Sequence, residues 1–318
     1  MKKLYITFAI LLVFVLIAIV WWKNGTSAFN PKDNTPKIFV IEQGQGVRAI
    51  ARNLKEEKLI KDQIVFFLIT KKLGLDSKIQ AGDYRLFPSM TALEIANELT
   101  HGTLDIWITI PEGQRALEIA DTLKEKMPNY DPSWNSVLEE NEGYLFPDTY
   151  LLPKDSTIEA IVSIMRNNFE LKYKTIDASK SNLSKEEIVT LASLIEREAR
   201  HDKDRLLISS VINNRLDIGM KLDIDATLQY VLGYQENEKR WWKSSLTNQD
   251  KLINSPYNTY RVAGLPPGPI SNPGLLSLEA AINPAKTDFL YYITDSSGTN
   301  RYAKTLDEHE ENISKYGL

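Results

Sequence analysis

The chain has 318 residues, 43% apolar and 25% charged, with 38 basic against 42 acidic side chains for a net charge of −4. At roughly 150 residues per domain this predicts two domains or three small ones, and the apolar share excludes wholesale disorder and fibrous repeats. So weak an acidic balance gives no electrostatic reason to expect nucleic acid as a partner, and the absence of cysteine removes disulfides, thiolate catalysis, iron–sulfur clusters and cysteine-ligated zinc.

Leu4 to Trp22 carry no charge and are flanked by Lys2, Lys3 and Lys23. As a helix this run spans about 28 Å, close to the thickness of a bilayer core. Trp21 and Trp22 fall where an interfacial aromatic belt belongs, and the N-terminal lysines favour an inside N-terminus. The expectation is a single-pass anchor over residues 1–23 in the cytoplasmic membrane, with the rest of the chain outside. A cleaved signal peptide ending near Ser27-Ala28 is the alternative, although its apolar region would be shorter. Residues 24–37, containing Gly25 to Pro36, read as a flexible tether.

Two stretches then align without gaps: Phe39 to Glu56 and Ile108 to Glu125. Ile41/Ile110, Gly44/Gly113, Gln45/Gln114, Ile50/Ile119, Ala51/Ala120, Leu54/Leu123, Lys55/Lys124 and Glu56/Glu125 are identical. Each copy predicts strand–helix–helix–strand followed by a further helix. In the first copy Thr91 and Glu94 make a capping box for that helix, and Gly102 stops it. The first copy, with Gly44 followed by Ile50-Ala51, resembles a LysM-like glycan-binding module; such a module carries sugar affinity and no chemistry.

Ser184 to His201 is helical by periodicity. At about 100° per residue, Ile188, Leu191, Leu194, Ile195 and Ala199 share one arc. Glu198 falls inside that arc, Glu196 at its edge, and Arg197 and Arg200 on the far side. A carboxylate on a buried face is either paired, here with Arg205 or Arg215, or has its pKa raised by desolvation, as a general acid requires. A second helix runs from Asp204 to Ile218, ended by Gly219. Asp225 opens a third, either as its N-cap or as a second functional carboxylate. The Pro- and Gly-rich stretch from Ser255 to Gly274 reads as a shaped, rigid loop. In it Tyr257, Asn258 and Tyr260 offer flat faces and polar groups suited to sugar rings, or else simply build the loop. Phe289 to Thr294 and Arg301 to Lys304 predict a hairpin, and Thr305 with Glu308 caps a final helix. Trp241-Trp242 offer faces for stacking on sugars, or else serve packing, the preferred reading. His101, His201 and His309 are scattered without metal-ligand spacing and read as surface residues; no phosphate-binding loop, dinucleotide fingerprint, serine-hydrolase elbow or zinc motif occurs, so no cofactor is expected.

Several strings occur in order: Glu142-Gly143-Tyr144-Leu145-Phe146-Pro147-Asp148-Thr149-Tyr150, Leu191 to Glu198, Asn214-Arg215-Leu216, Gly219-Met220, Asp225-Ala226-Thr227, Tyr257-Asn258-Thr259-Tyr260, Gly264-Leu265-Pro266-Pro267, Asn283 to Lys286 and Glu308-His309. In these the chain resembles the YceG-like endolytic murein transglycosylases (MltG), over essentially its whole length. A family Gly-Gly-His before the last strand is replaced here by Ser297-Gly298-Thr299-Asn300-Arg301. The resemblance implies a lyase, a peptidoglycan lytic transglycosylase of cell-wall biogenesis and degradation, that cuts within glycan strands and leaves 1,6-anhydro-N-acetylmuramic acid ends. It places the catalytic glutamate at Glu198. Asp225, Tyr257, Asn258, Tyr260 and Gln229 are then candidates to bind substrate, and Glu196 and Asn214 to support the site. Partnership with peptidoglycan synthases is implied as well. The expected fold is α+β: a transmembrane helix, LysM-like βααβ modules at 38–103 and 104–165, and a mainly helical catalytic domain at 166–318 with a small β-hairpin. A membrane-anchored glycan-binding scaffold, a muramidase-type hydrolase and a tethered solute-binding protein are the rival classes.

Overall fold

The computed structural model describes residues 2–100 and 105–316, with side chains of the first helix from Leu11 onward. Gly102, expected to stop a helix, and His101 lie outside the described residues. The chain divides into two compact units, Met1–Trp107 with Leu151–Asp155, and Ile108–Tyr150 with Ser156–Leu318.

The first unit starts with α1 (Lys2–Thr26) and continues as β1 (Lys37–Ile41), α2 (Val47–Glu56), α3 (Gln63–Lys72), β2 (Gly82–Leu86) and α4 (Ala92–Glu98). Leu11 to Val20 of α1 are exposed. Among the described residues no helix is long and apolar enough to cross a membrane. Strands β1 and β2 pair antiparallel, with Lys37 opposite Leu86 and Ile41 opposite Gly82. Their inward side chains, Phe39, Ile41, Tyr84 and Leu86, close over Ile50 and Leu54 of α2, Val65, Phe66 and Ile69 of α3, and Ile95 of α4. Asp62 starts α3 by accepting the N–H groups of Ile64 and Val65, and the Thr91–Glu94 capping box starts α4 as expected. Residues 24–37 are not wholly a tether: α1 runs on to Thr26, Ala28 is buried, and Gly25 packs so closely on Val65 that a Cβ there would collide with it.

Next in the chain come β3 (Asp105–Thr109), α5 (Ala116–Lys126), α6 (Trp134–Glu139), β4 (Thr149–Pro153) and α7 (Ile158–Tyr173). This repeats the element order of the first copy, and β3 and β4 form their own two-stranded sheet. The chain continues with α8 (Lys185–Glu198), α9 (Asp202–Asp217), α10 (Asp225–Leu232), α11 (Leu275–Ile282), β5 (Tyr291–Thr294), β6 (Asn300–Ala303) and α12 (Leu306–Tyr316).

Helix α8 is the core of the second unit. Every residue from Ile188 to Ile195 is buried, and it packs against α9, α10 and α11. Ser184 and Glu187 make a reciprocal capping box at its start. At its end Ala199 turns extended, φ −82° and ψ 115°, so Glu198 is the last helical residue. The loop between α10 and α11 is pinned by buried polar side chains. Asn258 donates to the carbonyls of Lys251 and Ile253 and accepts the N–H of Tyr260. Asn272 accepts the N–H of Leu145 and donates to Gln114 and Glu142. Gly143, at φ 84°, has no room for a Cβ because Pro269 and Val189 press on it. In the β5–β6 turn Asp295 accepts the N–H groups of Ser297 and Thr299 and pairs with Arg301 at 2.9 Å. The stretch that departs from the family pattern therefore builds a self-contained turn.

Candidate active site

A cavity of about 590 Å³ opens at the C-terminal end of α8, bounded by Glu198, by Asp223 and Asp225 at the entry to α10, and by Tyr291 and Tyr292 of β5. Glu198 is half-buried. Its Oε2 accepts the Tyr292 hydroxyl at 2.5 Å, and the carboxylate also accepts the Ala226 N–H at the start of α10. Burial is the main force on Glu198 and raises its pKa, and Asp225 adds to the rise; the Tyr292 hydroxyl, Arg197 and the Ala226 N–H act the other way. Burial and the adjoining Glu198 raise the Tyr292 pKa far above its ordinary value, so Tyr292 stays a donor. Among the described residues no arginine forms an ion pair with Glu198. Arg205 is taken by Glu196, and Arg215 donates to the carbonyls of Leu290 and Leu222, both at 2.6 Å.

Of the two sequence readings of Asp225, the N-cap does not hold: Ile224 occupies that position, and the Asp225 carboxylate faces the cavity and accepts the Tyr260 hydroxyl at 2.5 Å. Ile224 is extended, φ −91° and ψ 118°, so the helix starts at Asp225, one residue earlier than an Asp225 cap would require. Tyr260 lines the cavity with Asp225. Tyr257, Asn258, Gln229, Glu196 and Asn214 do not. Tyr257 packs on Tyr230, Gln229 donates to the Lys243 carbonyl, and Asn214 donates to the carbonyls of Thr287 and Phe289, which lead into β5.

Glu196 is neither solvated nor in the cavity. Its side chain is 6% exposed; it pairs with Arg205 at 3.0 Å and accepts the Gly274 N–H that starts α11. Arg205, 8% exposed, also meets Asp202 and Glu112 and donates to Ser277. Arg197 is likewise not on a solvent face: it lies over the Trp242 ring, 3.7 Å from its centroid, and donates to the Gly113 carbonyl. The far side of α8 is covered by chain from residues 112–118 and by Trp242, which helix periodicity alone does not reveal.

The sequence pattern did not single out Tyr292, Asp223 or Tyr291, and it offered Arg215 only as a partner for the buried carboxylate. His309, which reads as a surface residue from sequence, stacks on Tyr291 at 5.2 Å and lines the cavity, with its Nδ1 buried and unpartnered among the described residues. Burial, then Arg215, lowers its pKa. The signals available were the ordered strings themselves, Asn214-Arg215-Leu216 and Glu308-His309, and two adjacent tyrosines on the hairpin. Among the described residues no group of three or more His, Asp or Glu side chains could hold a metal ion.

Residues 39–315 match the YceG-like family. A Bacillus subtilis (strain 168) protein named endolytic murein transglycosylase is 36% identical over 330 residues, covering 92% of this chain and 89% of that protein. A Streptococcus pneumoniae (strain ATCC BAA-255 / R6) protein of the same name is 30% identical over 337 residues; these cover 90% of this chain and 60% of that longer relative. A crystal structure of a yceG-like protein from Listeria monocytogenes shares 31% identity with a TM-score of 0.57, covering 87% of this chain and 99% of the other. The chain belongs to the YceG-like family.

Proposed function

We propose that this chain is a membrane-anchored endolytic lytic transglycosylase, a lyase that cuts MurNAc–GlcNAc bonds within nascent peptidoglycan strands, leaves 1,6-anhydro-MurNAc ends and so limits strand elongation. The observation that carries this reading is Glu198: a desolvated carboxylate at the end of a buried helix, facing a cavity and held by a tyrosine hydroxyl and a helix N-terminus. The names of the relatives support it.

Protonated Glu198 donates to the glycosidic oxygen as the bond from that oxygen to the anomeric carbon breaks. The resulting carboxylate then takes the proton of the substrate's own C6 hydroxyl as O6 bonds to the anomeric carbon, so the enzyme regains its starting proton. The nucleophile is intramolecular, which supplies proximity without a positioned water. Tyr292 and the Ala226 N–H stabilise the transient carboxylate. Asp225, held by Tyr260, offers negative charge to the oxocarbenium-like transition state. A hydrolase is the second reading, because Asp223 and Asp225 line the same cavity and a second carboxylate is what water activation needs.

The same proposal takes the uncharged Leu4–Trp22 run as the anchor in the cytoplasmic membrane, with the N-terminus inside and the site outside. It takes the repeated strand–helix–helix–strand units as LysM-like glycan contacts, and peptidoglycan synthases as partners. Digestion of purified glycan strands by the full-length chain in detergent, with mass spectrometry of the ends, tests the chemistry. Anhydro ends are expected. Reducing ends would replace the transglycosylase with a hydrolase, and a folded chain that cuts nothing would be a glycan-binding scaffold.

A further inference from the structure

The first unit carries a surface that the catalytic reading leaves unused. Arg48 and Arg52 stand one turn apart on α2, and Ile64 and Leu68 one turn apart on α3, so each pair shares a helix face. Between these pairs lies a cavity of about 430 Å³, floored by Ala51 and Phe67. Ile64 is 56% and Leu68 40% exposed. The core does not need them, because Val65, Phe66 and Ile69 of the same helix fill it. The Arg48 guanidinium lies over the Phe67 ring, 5.1 Å from its centroid. Both helices are basic in a chain of net negative charge: α2 carries Arg48, Arg52 and Lys55 against Glu56, and α3 carries Lys71 and Lys72 with no acid.

This surface is tied to the end of α1. The Trp21 indole donates to Asp62, the cap of α3, at 3.1 Å, and Gly25 is packed on Val65. Ile64 to Leu68 lie within roughly 9 Å of Asp62 along the helix, at about 1.5 Å per residue. With α1 as the anchor, a premise shared with the proposed function, Trp21 sits at the lipid–water boundary, and the groove falls within about one Debye length of the headgroups.

We propose that the α2–α3 face is a membrane-interface surface for anionic phospholipid. Arg48 and Arg52 bind lipid phosphate through their forked guanidinium donors, and Ile64, Phe67 and Leu68 enter the acyl boundary. This contact fixes the orientation of the first unit on the bilayer.

Because the chain has no cysteine, Leu68→Cys gives a unique site for an environment-sensitive fluorophore on the full-length protein. In nanodiscs of phosphatidylcholine with about one-third phosphatidylglycerol, the label should emit to the blue and resist an aqueous quencher. Both effects should shrink several-fold in pure phosphatidylcholine, and equally in the Arg48→Gln/Arg52→Gln variant with anionic lipid. A wet label in anionic nanodiscs overturns the proposal. So does burial that is indifferent to lipid charge or to the arginines. Flotation of the full chain with vesicles tests the anchor separately: failure to float overturns the anchor and this surface together, whereas flotation with a wet label overturns the surface alone.

Discussion

The Tyr292 hydroxyl donates to Oε2 of Glu198 at 2.5 Å, joining the C-terminal hairpin to the last residue of the buried helix α8. The bond favours the carboxylate, while burial and Asp225 favour the protonated acid. Tyr292 therefore opposes part of the desolvation and returns the carboxylate to a stable state after proton transfer.

Tyr292→Phe removes that donor, so the Glu198 pKa rises further. Activity requires the protonated acid and is lost as pH climbs through this pKa; the alkaline limb of the pH–rate profile should move to higher pH, with a lower maximum. An unmoved limb would show that Tyr292 does not set the Glu198 equilibrium.

Glu198→Gln keeps the volume and removes the proton donor. Glycan cleavage should fall by about 10²–10⁴-fold, the usual contribution of a general acid. The thermal midpoint should not drop, because a desolvated ionisable group is replaced by a neutral one. A variant that cleaves at the original rate would move the chemistry to another carboxylate in the cavity, with Asp225 the next to test.

Glu196 and Arg205 form a buried pair at 3.0 Å. Arg205→Met leaves Glu196 uncompensated and should cost about 3–5 kcal/mol, read as a lower denaturant midpoint. Adding Glu196→Gln should restore a large part of that loss. Equal midpoints for the single and double variants would mean that Arg205 stabilises through Asp202 and Ser277 instead.

Glu142 is buried, and desolvation pushes its pKa from 4.5 up to about 8, against the Ala116 N–H and Arg115, which favour the anion. Between these two values the folded chain holds a proton that the unfolded chain has released. Its contribution to stability is thus full below about pH 4.5 and is lost as pH rises toward 8. Glu142→Gln should flatten that decline in urea unfolding measured across the window, and an unchanged slope would place the pH dependence elsewhere.

Much of the helical framework is readable locally. The capping boxes at Ser184, Thr91 and Thr305 and the apolar arc of α8 depend on residues within a few positions of one another, and the order of strands and helices in the repeat follows from such local patterns. Glu198 stands out for the same reason, since its place on the buried arc is a property of one helix. Arg197 and Glu196 are misread from that helix alone because the neighbours that cover them, Trp242 and Gly113 for one and Arg205 and Gly274 for the other, lie outside it.

The polar candidates in the loop from Ser255 to Gly274 show the same limit. Residue type makes Tyr257, Asn258 and Tyr260 equivalent as sugar contacts. Packing separates them: Asn258 is consumed by loop carbonyls, Tyr257 by Tyr230, and Tyr260 alone among the three reaches the cavity. Backbone hydrogen bonding and helical period act over one turn, so the chain order suffices for the elements and for a carboxylate on a buried face. What Glu198 can do depends on a hydroxyl from a strand 94 positions away and an N–H from the next helix but one, and those meet it only when the two elements pack against the end of α8.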